Sequence, residues 1–210
     1  MKIDYTRAEE YEEIEEVVPD ADLEALALRR GISYDTLASA GIRIETEDSW
    51  AGGYPIRIPY PTLSGKVWYE RLCAWPGSGV LPKYRTPPDV GRHLYNPHLV
   101  GPGDSLVWLA EGEFDCLALA DVGERAMAIQ GTNGFKGVWH HLFAGGTVVL
   151  AFDGDDAGVT AAENMKEKLM HKGIRTHVFS PPEGKDLNDL LKGETLADQV
   201  AEFKQAIDLR

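Results

Sequence analysis

Three clusters of carboxylates carry the chemistry for which this sequence is equipped. Glu111 and Glu113 lie in LAEGEFD, Asp153, Asp155 and Asp156 in VVLAFDGDDAG, and Asp186 and Asp189 in PPEGKDLNDLL. Each cluster closely follows a short apolar run. Crowded carboxylates raise one another's pKa unless a cation neutralises them. Their hard oxygens suit Mg²⁺, which keeps several waters and pairs protein carboxylates with substrate phosphates. Two such ions about 3.5–4 Å apart can activate an attacking oxygen and stabilise a leaving one. Gly112 and Gly154 would let the backbone turn beside the acids, and Gly158 would allow close helix packing. A single acid of this kind is as readily a helix N-cap, Asp155 for the helix that follows it. Three clusters, each behind an apolar strand, favour a cation site.

The elements that must position these acids alternate. Strands are expected at Leu106–Ala110, Ala126–Ile129, Thr147–Phe152 and Arg175–Phe179. Helices are expected at Glu113–Asp121, Phe135–Leu142, Asp156–His171 and Leu196–Ile207. Short apolar strands alternating with helices imply an α/β fold with a parallel sheet covered on both faces. Ligand sites in such sheets lie outside the carboxyl ends of the strands, where Glu111, Asp153, Asp155 and Asp186 would share one crevice. Upstream, residues 5–16 suit an acidic helix, and Asp20 or Asp22 could cap Leu23–Arg30. Ser33 would cap a short helix through Ala40. Residues 54–74 suit a hairpin with Ser64–Gly65 in its turn, and the prolines of its first strand suggest an edge. Residues 75–105 suit a loop ending in a Gly-Pro-Gly boundary at 101–103. Asp115 suits a solvent-facing or supporting role more than that of a ligand, Cys116 the core, and His140–His141 a helix end. The five tryptophans suit packing, with Trp75 also placed to stack on a base.

The chain has 210 residues, 43% hydrophobic and 26% charged, as ordinary globular proteins do. Its apolar runs are far shorter than the ~20 residues of a membrane span, and its N-terminus lacks the apolar core of a signal peptide. Cys73 and Cys116 have no metal-ligand spacing, which suits a reduced, cytoplasmic compartment. The net charge of −13 is unevenly spread. Residues 1–27 carry 2 basic and 10 acidic side chains, a net of −8; residues 57–92 carry 6 and 2, a net of +4; residues 103–210 carry 10 and 18, again −8. A basic segment between two acidic ones is a candidate anion-binding surface.

The series AEGEFDCLALA, AIQGTNG, VVLAFDGDDAG and GKDLNDLL resembles the Toprim domain of primases, topoisomerases and some nucleases. That resemblance implies Glu111 as general acid/base or metal ligand, and Asp153 and Asp155 as metal-binding catalytic residues. LRRGISYDTLASAGI, RIPYPTLSGKVWYERLCA and LPKYRTPPDVGRHLYNP resemble the basic lobe preceding Toprim in bacterial (DnaG-type) primases. It implies that Arg30, Arg57, Arg71, Lys83 and Tyr84 line the template and nucleotide channel, with Arg85 and Arg92 beside them. The implied layout is an α+β N-terminal lobe with an acidic tail over 1–102, a doubly wound, mainly parallel Toprim domain over 103–195, and a C-terminal helix over 196–210. Such a core would make RNA primers by DNA-directed nucleotidyl transfer, with Mg²⁺ or Mn²⁺ held by Glu111, Asp153, Asp155, Asp186 and Asp189. Its partners would be single-stranded DNA, nucleoside triphosphates and a separate zinc-binding or helicase protein. No zinc ribbon is recognisable, so a minimal core of phage or mobile-element origin, working in the host cytoplasm, is expected. Two positions depart from the pattern: Val90 stands where primases often have Lys, and Asn188 where the last acidic motif usually has Asp. The alternatives are a Toprim metal-dependent nuclease and a non-catalytic nucleic-acid-binding replisome module.

Overall fold

A computed structural model describes residues 20–45, 55–101, 104–132 and 134–208; the expected acidic helix at 5–16, Trp50 and most of the 101–103 boundary lie outside them. The chain builds two four-stranded sheets. The first is antiparallel, in the order β1 (Arg43–Ile44), β2 (Ile56–Pro61), β3 (Val67–Cys73), β4 (Tyr84–Arg85). Ahead of it come α1 (Asp20–Arg30) and α2 (Tyr34–Ser39), the latter capped by Ser33, which accepts from the Thr36 N–H. α1 begins at Asp20, so Asp22 falls inside its first turn instead of capping it.

The hairpin is β2–β3, paired antiparallel from Ile56 opposite Cys73 to Pro61 opposite Val67. Its first strand is not the edge that its prolines suggest, because β1 lies outside it. The reason is local: β1 pairs only with Ile56 and Arg57, so Pro59 and Pro61 stand beyond its end and no β1–β2 hydrogen bond is lost there. The expected loop at 75–105 contains β4 and a 3-10 turn at Pro97–Leu99.

The second sheet is wholly parallel, ordered β6 (Ala126–Ala128), β5 (Leu106–Ala110), β7 (Thr147–Ala151), β8 (Arg175–Phe179). Strand period sorts its side chains cleanly. Trp108, Ala110, Val149, Ala151 and Phe179 face one core, shared with α3 (Glu113–Asp121), α5 (Leu187–Lys192), α6 (Leu196–Asp208) and the N-terminal lobe. Val107, Leu109, Val148 and Leu150 face the other, under α4 (Asp156–Met170). The segment expected as an α-helix at 135–142 is instead a 3-10 helix, Gly137–Phe143. Helices thus cover both faces, and the α/β class read from the alternation holds. Among the described residues no helix is long and apolar enough to cross a membrane.

Candidate catalytic crevice

The chain passes from β5 to β6 on one side, then returns to place β7 on the other side of β5. The reversal opens a crevice beyond the carboxyl ends of β5 and β7. Ala110 and Ala151 are partners there, so Glu111 and Asp153 project from adjacent strand ends. The backbone N–H groups of Asp153 and Thr132 face the Glu111 carboxylate and hold its pKa down. Thr132 reaches it because Gly131 adopts a positive φ of 78° and its N–H returns to the Glu111 carbonyl, 3.2 Å away. The QGT run after β6 thus clamps the first acid. The sequence marked that run only as AIQGTNG in the Toprim resemblance and gave its residues no role.

The third acidic loop is brought in by Gly154. Its N–H donates to the Lys185 carbonyl at 2.8 Å, and the Gly184 N–H donates back to the Gly154 carbonyl at 3.1 Å. A Cβ on Gly154 would stand 2.4 Å from the Pro182 oxygen and 2.7 Å from that of Pro181. Gly158 plays the matching part at the start of α4, where a Cβ would lie 2.3 Å from the Asp153 carbonyl oxygen. Neither these two nor Gly112 has a positive φ. Gly158 thus serves the close packing read for it, Gly154 serves close approach instead of a sharp turn, and at Gly112 a Cβ would meet only the Asp115 side chain, at 2.9 Å.

The acids are close enough to shift one another's pKa. Burial raises the Glu111 pKa, and the charges of Asp153 and Asp155 raise it further against the two backbone hydrogen bonds. Asp153 is raised by burial, then by Asp186, Asp155 and Asp189, and Lys83 opposes the shift. Asp115 is pushed to about 7 by burial and by Asp153 and Asp186, although Asn188 and Arg30 oppose the shift. Asp155 also caps α4 through the Gly158 N–H at 2.7 Å, and Asp186 and Asp189 form a capping box on α5. The capping roles are therefore real, and each acid still contributes its charge to the crevice.

Among the described residues no three acidic, histidine or cysteine side chains converge into a preformed metal cage. The donor set nevertheless fits a hydrated hard cation. Glu111 Oε2 is buried without a hydrogen-bond partner, and repulsion among the surrounding carboxylates is what such an ion relieves.

The basic residues divide into two groups. Lys83 and Arg85 are exposed and, among the described residues, form no ion pair. Arg92 is exposed as well. Tyr84 is partly buried, with Lys83 Nζ 5.4 Å from its ring centre. Arg57 instead pairs with Glu45 and Glu70, which outweigh the effect of burial and raise its pKa. Arg71 pairs with Glu113 and lies 4.0 Å over the Tyr84 ring. Glu113 is 1% exposed and also accepts from the Tyr60 hydroxyl. Arg30 rests 4.1 Å over the Phe114 ring, beside the acids, with its Nε buried and unpartnered. Asp121 is a contact with no sequence signal. Its carboxylate accepts the Ser33 N–H at 3.2 Å and the Thr36 hydroxyl at 2.6 Å, joining α2 to α3.

A profile of the Toprim-like family matches residues 108–191. The chain is 28% identical, over 201 aligned positions, to a DNA primase of Geobacillus stearothermophilus; this covers 87% of the chain and 33% of that protein. The chain thus spans about a third of that relative's length. Its fold superposes on a DnaG catalytic core with a TM-score of 0.71 at 20% identity, covering 94% of this chain and 79% of that one. The zinc-binding and RNA polymerase domains of the Aquifex aeolicus primase give 0.74 at 18%, covering 91% and 57%. A DnaG catalytic domain bound to single-stranded DNA gives 0.71 at 22%, covering 89% and 72%. Residues 108–191 are therefore similar to the Toprim-like family, and the chain shares the fold of the DnaG catalytic core.

Proposed function

We propose that this chain is the catalytic core of a DNA primase, making short RNA primers on single-stranded DNA during replication, of a phage or mobile element. The observation that carries the reading is the crevice, where Glu111 and Asp153 stand at adjacent strand ends and, with Asp155, Asp186 and Asp189, are close enough to act on one another's charge. Lys83, from the antiparallel lobe, is close enough to act on Asp153. Carboxylates facing unpaired cations across a cleft suit a substrate that brings phosphates together with a divalent ion.

In this reading a primer 3′-hydroxyl attacks the α-phosphate of a nucleoside triphosphate and pyrophosphate leaves. Mg²⁺, or Mn²⁺ in its place, would be held by Asp153 and Asp155 with Glu111, Asp186 and Asp189 around them; when bound, it supplies charge neutralisation at the reacting phosphates. Glu111, with its raised pKa, is suited to accept the hydroxyl proton. Lys83, Arg85 and Arg92 contact the triphosphate or the template backbone, and Tyr84 holds the base of that cationic loop. Arg30 offsets the charge of the acids from behind. Arg57 and Arg71 shape the channel through their ion pairs. A zinc-binding or helicase protein would provide site selection and delivery.

The test is template-dependent incorporation of ribonucleotides into short oligomers on single-stranded DNA with Mg²⁺ or Mn²⁺, with Asp153→Ala as the control. Product from wild type and none from the variant is expected. Metal-dependent cleavage of DNA without nucleoside triphosphates, and no primer, would overturn the reading in favour of a nuclease.

A further inference from the structure

On the outside of the hairpin, a line of rings and cations runs from one lobe to the other. Trp68 is 44% exposed at the start of β3, where β4 no longer pairs, since β4 reaches only Leu72 and Cys73. His93 stands edge-on to Trp68, with ring centres 4.3 Å apart. Lys136, from the parallel-sheet lobe, is near enough to His93 to lower its pKa, after the effect of burial. Lys136 Nζ also lies 5.5 Å from the Trp139 ring centre and 3.6 Å from where a Cβ on Gly91 would be. Two indoles thus bracket a histidine and a lysine along a stripe that crosses between the lobes.

The cations of this stripe are unspent. Arg43, Arg57 and Arg71 are each committed to a carboxylate. Among the described residues Lys136, and Lys66 just before β3, form no ion pair. Trp68 is joined at this end of β3 by the equally exposed Val67, so the apolar surface there is contiguous. Free positive charge beside it selects a ligand that offers both flat rings and negative charge. Single-stranded nucleic acid offers both, whereas duplex bases are already stacked on one another.

The stripe is also tied to the crevice through the core. Trp68 packs edge-to-face on Tyr69 at 5.5 Å, and the Tyr69 hydroxyl accepts from Gln130 Nε2 at 3.0 Å. Gln130 is two residues from Thr132, whose N–H faces Glu111. We propose that Trp68, with Lys66 and Lys136, forms a base-stacking platform for the single-stranded DNA template on its way to the crevice. The choice of strand rests on the primase reading; the stacking itself rests on Trp68.

The experiment compares binding of the full chain, in EDTA, to labelled oligothymidylate, an abasic strand of equal length and a duplex. Wild type is expected to prefer the base-bearing strand. Trp68→Ala should weaken that binding by roughly 5- to 100-fold, the range of one base–aromatic stack, and shrink the preference over the abasic strand, while Trp68→Phe restores both. Lys136→Ala should reduce the salt slope by about 0.7 and leave the base preference in place. A folded Trp68→Ala protein, checked by circular dichroism, with unchanged affinity and unchanged preference would overturn the proposal. Intact stacking without primer synthesis would sink the primase reading alone; primer synthesis with normal Trp68→Ala binding would sink the platform alone.

Discussion

Asp115 and Asn188 show how single side chains tune the crevice. Asn188 is 2% exposed and donates its amide to Asp115 Oδ1 at 3.1 Å. At the departure from the acidic motif a buried donor thus faces a half-buried acid. A carboxyl held at about 7 in the folded chain, against 3.8 normally, favours folding below pH 4 and loses that contribution as pH rises to 7 and beyond. The metal-free protein should therefore lose stability across that window, by up to about 1.4 kcal/mol per pH unit. Asp115→Asn, which can still accept from Asn188, should flatten this slope, as read from urea unfolding in EDTA at pH 5 to 8. A variant with the wild-type slope would show that Asp115 is not the group responsible. Asn188→Asp should do the opposite. It places a second carboxylate against the first and should cost about 1–3 kcal/mol without a divalent cation, with part regained on adding Mg²⁺. The acids themselves were legible because carboxylates after apolar strands form a pattern. The Asn188–Asp115 contact was not, since 73 residues separate them and neither type demands the other.

At the scale of elements, the loop between β8 and α5 matters as much as the strands. Its acids reach Asp153 because residues 181–185 lie directly on Gly154. Gly154→Ala would push that loop outward by pressing on backbone oxygens that cannot rotate away. A shift on the order of 1 Å should cost about a hundredfold in primer synthesis, with far-ultraviolet circular dichroism unchanged. Near-normal turnover would show that the third acidic cluster is dispensable. The parallel strands and the long helices were readable from periodicity, which depends on nearest neighbours and burial. The two-residue strands β1 and β4 were not. They are too short to show alternation, and they form because β2 and β3 offer them backbone partners.

Across the whole molecule, the two sheets share one interior. A single continuous core contains Leu26, Ile32, Leu37, Ile58 and Tyr60 from the first lobe and Trp108, Phe114 and Leu117 from the second. Three polar ties reinforce it: Ser33 and Thr36 on Asp121, Tyr60 and Arg71 on Glu113, and the Tyr95–Ala128 backbone bridge at the free edge of β6. A Gly-Pro-Gly boundary with lobes on either side is what the composition suggested, because sequence marks loops but not what packs across them. Glu113 is the tie whose loss is most informative, being buried against both a hydroxyl and a guanidinium. Glu113→Gln leaves Arg71 charged and unpaired at 15% side-chain exposure, which should cost about 3 kcal/mol. If the lobes fold as one unit, that loss should lower the denaturation midpoint of both together. Chemical denaturation followed by tryptophan fluorescence and by circular dichroism should then give coincident single transitions in wild type and variant alike. Two separated transitions in the variant would mean that each lobe is stable alone and that Glu113 merely latches them. In that case primer synthesis should fall far more than stability, since Lys83 acts on Asp153 only while the lobes are docked.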